Sequence, residues 1–164
     1  MIQELLKSNC YYPLNQGQYF IYDDDLNNVP SFVSEVDKWN LNLNNNTSTT
    51  VNFFQNDGCL MAQNELKKCD WICFVENEFY FIEAKDVKMR NRSSQRNDAV
   101  LKFDITIPHF IALYPSIKTM KMIVVMNFRS SKITSATNKS KALYFNEKYN
   151  AEYRETNILE INKE

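Results

Sequence analysis

The sequence predicts an α/β or α+β fold in which a central mixed β-sheet is flanked by helices. The stretch CDWICFVENEFYFIEAKD, residues 69–86, has the apolar pattern of two strands joined by a short turn. Segment 93–114 follows it with apolar residues at helical spacing. KMIVVMNF, residues 121–128, is a nearly continuous apolar run, typical of a strand buried on both faces. Elements in this order pack as layers around one core.

Before the hairpin, the pattern predicts a short helix, a strand, a longer helix, a polar loop and a second strand. In chain order these cover residues 1–8, 18–22, 30–40, 40–50 and 49–54. The longer helix is predicted because Phe32, Val36 and Trp39 lie at helical intervals. Pro30 suits the start of such a helix. The loop is predicted from its asparagine, serine and threonine content, and the second strand from its β-branched and aromatic residues.

After the hairpin, the helical segment 93–114 should bend or break near Pro108, because proline removes a backbone donor and clashes with the preceding turn. The basic, serine- and threonine-rich stretch 129–141 predicts a loop. Residues 141–149 form an element whose type the pattern leaves open, and NILEI, residues 157–161, predicts a late strand.

Length and composition indicate one domain, residues 1–164, with enough apolar material for a sizeable core. The net charge of −1 excludes a globally basic nucleic-acid-binding protein, but it leaves room for a local basic surface. With only two glycines, the chain has no glycine-rich nucleotide loop. No apolar run suits a signal peptide or a membrane span, so we expect a cytoplasmic protein with no membrane partner.

The four cysteines favour neither a zinc site nor a disulfide between neighbours. They include no CxxC pair, and the chain has a single histidine. Cys69 and Cys73 would lie roughly 13 Å apart along one strand, too far for a disulfide. We expect them to be small buried apolar residues in a reducing compartment.

The register of the hairpin decides where its charged residues point. Side chains alternate between the two faces of a strand, so Glu83 and Lys85 share one face. A two-residue turn at Glu76-Asn77, or a four-residue loop, places Asp70 opposite Glu83 on that same face. A three-residue loop would instead oppose Asp70 with Ala84 and separate the two acids. The turn sequence does not choose between these registers.

Opposed carboxylates would have a chemical consequence. With Cβ atoms about 5 Å apart, the carboxylates of Asp70 and Glu83 would repel each other by up to roughly 1 kcal/mol. A divalent cation between them reverses that effect, and hard ions such as Mg²⁺ favour carboxylates, carbonyls and water. Lys85 on the same face could polarise a metal-bound water or stabilise charge on a phosphate. Such a constellation suits phosphodiester cleavage.

These residues resemble the core motif of the PD-(D/E)XK nuclease superfamily. The resemblance consists of Asp70, a strand-turn-strand, and Glu83-Ala84-Lys85 followed by a helix and a buried strand, and it spans about residues 30–128. It implies a restriction-endonuclease-like core and a Mg²⁺-dependent nuclease, with Mn²⁺ as a substitute. It departs from the family in having Cys69 where a proline often precedes the aspartate.

The resemblance also implies roles for individual residues. Asp70 and Glu83 would be metal ligands, together with the carbonyl of Ala84, and Lys85 would be the catalytic lysine. Gln95 matches a glutamine that some branches place in the following helix. An additional acid often comes from an earlier helix, for which the candidates in this chain are Glu35 and Glu65.

Basic residues cluster on both sides of the motif, where a nuclease needs them to approach a polyanion. The predicted nucleic-acid-binding residues are Lys88, Arg90, Arg92, Arg96, Arg129, Lys132, Lys139 and Lys141. The alternative is that these residues only make their loops soluble.

The leading hypothesis is a metal-dependent nuclease that cuts DNA in preference to RNA, in phage defence, restriction, repair or as a toxin. A chain of this size suggests a homodimer or a partner protein that supplies specificity. One alternative is a catalytically silent nuclease-fold module that binds nucleic acid or protein, including an immunity or antitoxin protein. Another is that Asp70, Glu83 and Lys85 form an ordinary ion-pair ladder on a solvated sheet face.

Overall fold

The computed structural model of the protein describes residues 2–24, 29–33, 39–61, 67–85, 92–128 and 135–162. Short 3₁₀ helices cover Ile2–Lys7 and Pro115–Thr119. The strands are β1 Tyr11–Leu14, β2 Gly17–Asp24, β3 Val29–Val33, β4 Leu41–Asn45, β5 Val51–Gln55, β6 Trp71–Val75, β7 Glu78–Lys85, β8 Lys121–Phe128, β9 Ala151–Glu155 and β10 Ile158–Ile161. The α-helices are α1 Arg92–Leu113 and α2 Ser135–Tyr149.

The strands form two sheets. In the first sheet the order is β1-β5-β6-β7-β8-β9, and the second has the order β10-β4-β2-β3. The first sheet is mixed, because β1, β5, β6 and β7 pair antiparallel whereas β8 and β9 continue parallel to β7. The predicted mixed sheet is therefore confirmed, together with the strands at 18–22, 49–54, 69–86, 121–128 and 157–161.

The first sheet is the middle layer of the molecule. One of its faces packs against α1 and α2, where Phe79 and Phe81 of β7 meet Phe103 and Phe110 of α1. The other face packs against the second sheet, and there Tyr80 and Ile82 share a core with Leu43. In the described part of the chain, the helices of the core thus lie on one face, and the expectation of a sheet flanked by helices holds for that face only.

The hairpin β6–β7 has the even register. Trp71 pairs with Ile82 and Val75 with Glu78, leaving Glu76 and Asn77 as a two-residue turn. Glu76 has a φ of 51°, a positive value of the kind that tight hairpin turns require. The alternation along β7 is also confirmed, because odd-numbered residues face the helices and even-numbered residues face the second sheet.

Two of the sequence-based predictions are wrong in the second sheet. Part of the predicted helix 30–40 is strand β3, where Val29–Val33 pairs with β2. Part of the predicted loop 40–50 is strand β4, in which Leu41 and Leu43 are fully buried. The sequence LNLNN alternates with period two, and this alternation outweighs the loop-like content of asparagine.

Two expectations about the helices were wrong at least in part. Of the bend or break expected near Pro108, the break does not occur, because helix α1 continues through this residue with Ile107 and Phe110 buried in the core on either side. Burying two such side chains contributes about 1.5–3 kcal/mol each, enough to offset the roughly 3 kcal/mol cost of the proline. The predicted loop 129–141 is helical from Ser135 onward, where α2 begins. Among the described helices, none is long and apolar enough to cross a membrane.

The cysteines divide into two kinds. Cys69 and Cys73 are free and buried, as the sequence predicts. Cys10 and Cys59 form a disulfide that the sequence analysis did not predict. Disulfides persist mainly in oxidising compartments, so this bond does not favour the reducing compartment that was expected.

Candidate active site

The acidic residues of the motif converge where β6 begins and β7 ends. Asp70 lies one residue before β6, and Glu83 lies near the end of β7. Because Trp71 pairs with Ile82, the next positions along the two strands bring Asp70 beside Glu83. Both side chains are buried. The interpretation as a solvated ion-pair ladder is therefore wrong for this part of the sheet.

A lysine of α1 shows that the two carboxylates share a face. The ammonium Nζ of Lys102 lies 2.6 Å from Glu83 Oε1 and 3.4 Å from Asp70 Oδ1. A single ammonium reaches both acids only if both point toward the helix layer. The face-sharing that the even register implies is thus present in the structure.

Lys85 contacts the same oxygen of Glu83 that Lys102 contacts. Its Nζ lies 2.7 Å from Glu83 Oε1 and 3.2 Å from Asp98 Oδ2 of α1. Asp98 also accepts a hydrogen bond of 2.6 Å from Lys67, a largely exposed lysine before β6. The charged network therefore runs from buried Glu83 out to the solvent.

Backbone hydrogen bonds fix the position of Asp70. Its Oδ2 accepts the backbone N–H of Ala84 at 2.7 Å, which ties the side chain to β7. Its carbonyl accepts the backbone N–H groups of Asn56 and Asp57, in the turn after β5. The preceding N–H, of Cys69, donates to Thr106 Oγ1 of α1 at 3.0 Å. Asp70 is thus held by three neighbouring elements.

Burial dominates the electrostatics of the two acids. Burial, with the neighbouring charge of Asp70, raises the pKa of Glu83 to about 8 even though two lysines are close. Burial also raises the pKa of Asp70 above its ordinary value, against the opposing effects of Lys102 and the Ala84 N–H. Burial opposes the charge of Lys102, but the two carboxylates outweigh it and raise the pKa of that ammonium. The lysines therefore compensate the buried acids incompletely.

The oxygens at this site suit a hard cation. The contacts of the two ammonium groups with Glu83 Oε1 are short but poorly aligned for hydrogen bonding, and Glu83 Oε2 has no hydrogen-bond partner among the described residues. A buried carboxylate oxygen without a donor is costly unless a cation or a proton satisfies it. Mg²⁺ commonly binds through one or two carboxylates and keeps several waters. Asp70 and Glu83 fit that requirement, although the described residues contain no cluster of three or more metal-binding side chains.

Other predicted site residues lie on the two helices. Gln95 is half-buried in the first turns of α1. Arg96 pairs with Glu155 of β9 at 2.7 Å and is largely buried, so contact with a phosphate would require breaking that ion pair. Lys141 Nζ of α2 lies 3.5 Å from Asn97 Oδ1, and Lys139 is exposed. Their roles stay predictions.

For several predicted site residues, the structure does not describe the side chain or the whole residue. Arg92 opens α1, but its side chain is not described. Six others lie outside the described residues: Glu35, Glu65, Lys88, Arg90, Arg129 and Lys132. The carbonyl of Ala84 as a metal ligand also stays a prediction.

Sequence reasoning missed Lys102 and Asp98. A signal was present, because Gln95, Asp98, Lys102 and Thr106 are spaced three or four residues apart and form a polar stripe along α1. This stripe lies beside the apolar positions Ala99 and Phe103 that face the sheet. A polar stripe next to the buried face of a helix could have indicated which side chains reach the acids.

Comparison with protein-family models, curated proteins and solved structures finds no match to this chain. The function is therefore inferred from the geometry and chemistry of the Asp70–Glu83 site.

Proposed function

We propose that the protein is a metal-dependent nuclease that hydrolyses phosphodiester bonds, in DNA in preference to RNA, with Mg²⁺ as its cofactor. The observation that carries the proposal is the convergence of Asp70 and Glu83 on one face of the sheet, where two lysines lie alongside and Glu83 Oε2 has no hydrogen-bond partner among the described residues. When bound there, Mg²⁺ would lower the pKa of an attacking water and neutralise charge on the phosphate.

The residues around the acids would have distinct tasks. Asp70 and Glu83 would supply the oxygens that hold the ion, and the N–H of Ala84 keeps Asp70 in place. Lys85 lies between buried Glu83 and partly exposed Asp98, so its ammonium is close both to the acids and to solvent. From that position it can orient a water or stabilise charge on a phosphate oxygen.

The order of elements supports the same proposal. Antiparallel β5, β6 and β7 are followed by α1 and then by β8, which runs parallel to β7. This arrangement is compatible with the restriction-endonuclease-like core that the motif implies. It places the acids at the end of β7, beneath the N-terminal half of α1.

The test compares cleavage by the wild type and by Lys85→Ala on plasmid, single-stranded DNA and RNA, with Mg²⁺, with Mn²⁺ and with EDTA. We expect metal-dependent cleavage by the wild type and a loss of roughly 10²–10⁴-fold in the variant. Lys148→Ala, which removes a lysine that contacts Asp104 at 3.1 Å, is the matched control and should retain activity. A wild type that is inactive on every substrate under every metal condition contradicts the proposal.

A second candidate function is a catalytically silent module that binds nucleic acid or protein. The observation in its favour is the charge balance of the network, in which Lys67, Lys85 and Lys102 face three carboxylates. Such a balance could serve structure alone. The silent module predicts no cleavage and equal nucleic-acid binding by the wild type and Lys85→Ala, which a filter-binding assay would measure.

A homodimer or a specificity-providing partner remains part of the proposal. Light scattering of the purified protein, alone and with a short duplex, would give its oligomeric state. Two protomers per duplex would agree with one site for each strand. A monomer in both conditions would remove the homodimer from the proposal.

A further inference from the structure

The ammonium of Lys102 contacts both acids of the site. Within the described chain Lys102 is the side chain whose cation contacts both acids, whereas Lys85 contacts Glu83 and Asp98. The ammonium of Lys102 thus bridges the two carboxylates that the proposed function assigns to the metal. Its side chain is largely buried, with 13% of its surface exposed.

The backbone of Lys102 is firmly placed by its neighbours on α1. Ala99 and Phe103 are buried against the sheet. One turn later, Thr106 accepts the N–H of Cys69, next to Asp70. The helix cannot shift away from the acids without breaking these contacts, so any movement of the cation must come from rotation of its long, flexible side chain.

A divalent ion and this ammonium would compete for the same two carboxylates. A metal ion held by both acids would lie close to Nζ of Lys102, which is already 2.6 Å from Glu83 Oε1 and 3.4 Å from Asp70 Oδ1. Two cations so close repel each other strongly in a poorly hydrated site. The energy of binding the metal is therefore reduced by the work of moving Lys102.

We propose that Lys102 is an internal counter-ion that holds the Asp70–Glu83 pair together in the metal-free protein and must leave it when the divalent ion binds. The inference rests on the proposed function, since it concerns the metal affinity of the same site. It makes Lys102 a positioning residue that weakens metal binding while it maintains the geometry of the ligands.

The test is Mn²⁺ binding measured by titration calorimetry without nucleic acid, at a single mildly alkaline pH. Lys102→Met preserves the length of the side chain and removes its charge. Lys102→Gln can still donate a hydrogen bond to a carboxylate, and serves if the methionine variant does not fold. We expect both variants to bind Mn²⁺ about tenfold more tightly than the wild type, because the repelling charge is gone. We also expect Mn²⁺ to raise their melting temperatures more than that of the wild type.

Two controls separate the possible failures. Lys148→Met removes a lysine of α2 that contacts Asp104 of α1, and should leave Mn²⁺ affinity unchanged. Glu83→Gln removes a ligand and should abolish binding. If the wild type binds Mn²⁺ through Glu83 but both Lys102 variants bind equally or more weakly, the inference is overturned and the proposed function survives. If the wild type does not bind Mn²⁺, or if Glu83→Gln binds as well, both are overturned.

Discussion

Helix α1 takes part in two clusters of charged residues that differ in how well their carboxylates are satisfied. Toward its N-terminus, Asp98 and Lys102 join Asp70 and Glu83. Further along, Asp104 accepts hydrogen bonds from two tyrosines of α2, Tyr144 at 2.5 Å and Tyr149 at 2.7 Å. Lys148 completes this second cluster at 3.1 Å.

The pKa of Glu83 and the pKa of Asp104 are shifted in opposite directions. Burial tends to raise the pKa of Asp104, but the hydroxyl groups of Tyr144 and Tyr149 and the ammonium of Lys148 together lower it below its ordinary value. Burial and the charge of Asp70 raise the pKa of Glu83 to about 8, and Lys102 and Lys85 only partly oppose this rise. Asp104 is typical of a carboxylate that joins two helices. Among the described residues, Glu83 Oε2 has no hydrogen-bond partner, and an added cation or proton would satisfy it.

The largest expected difference between the clusters is in catalysis. Glu83→Gln should lower metal-dependent cleavage by roughly 10²–10⁴-fold, because it removes a charged ligand while conserving shape. Asp104→Asn should leave cleavage within about twofold of the wild type. Plasmid nicking with Mg²⁺ measures both. Equal losses in the two variants would break the comparison and assign both acids to the same structural role.

For the free energy of unfolding, we expect the opposite: Asp104→Asn should have the larger effect and Glu83→Gln the smaller one. Asp104→Asn should lower the free energy of unfolding by about 2 kcal/mol, because it weakens charge-assisted hydrogen bonds between α1 and α2. Glu83→Gln should leave stability without metal unchanged or higher, since burial raises the pKa of Glu83 and so disfavours its charged form in the folded protein. Urea denaturation in EDTA gives both values. A strongly destabilised Glu83→Gln would show that its ion pairs stabilise the fold.

A smaller effect should come from one tyrosine. Tyr149→Phe removes a single hydroxyl donor to Asp104 and should cost about 1 kcal/mol of unfolding free energy. The aromatic ring continues to pack against Phe145, with centroids 6.3 Å apart. Urea denaturation of this variant in the Asp104→Asn background should show less than half of that cost. Full additivity would mean that the hydroxyl acts elsewhere.

The smallest expected effect is a change with pH in the stability that Asp104 contributes. The pKa of Asp104 is lowered in the folded protein, so its stabilisation is fully present above the ordinary value of 3.8 and is lost as the pH falls through the folded value. The difference in melting temperature between the wild type and Asp104→Asn should therefore narrow as the pH is lowered from about 5 toward 2. Thermal melts across that range measure it. A difference that widens in acid would contradict the assigned direction.

The alternation of the hairpin strands could be predicted from local rules, but the turn sequence left two registers open, and the structure has the even one, which brings Asp70 beside Glu83. Strand alternation has a period of two, and a two-residue turn fixes the opposing positions. Lys102 could not be assigned in this way, because its contact depends on how α1 is rotated against the sheet. That rotation is a property of the whole core, although the polar stripe along the helix hinted at it.

The second sheet was harder to predict because its signals conflict. Phe32 lies at helical spacing from later apolar residues, yet the segment pairs with β2 as strand β3. Strand β10 joins β4 in parallel, across more than a hundred residues of chain. Such long-range pairing is decided by burial against the first sheet, which the local pattern does not reveal. The pairing of Cys10 with Cys59 is equally non-local.

The disulfide between Cys10 and Cys59 has a topological consequence. The two cysteines are 49 positions apart, and the chain between them includes β2, β3 and β4 of the second sheet. The bond thus closes this part of the protein into a covalent ring that begins and ends beside the paired strands β1 and β5. A ring of this size lowers the entropy of the unfolded chain, which stabilises the fold by about 4 kcal/mol in the simplest model. A protease that cuts once inside the ring leaves two fragments that the disulfide still joins, and they separate only after reduction.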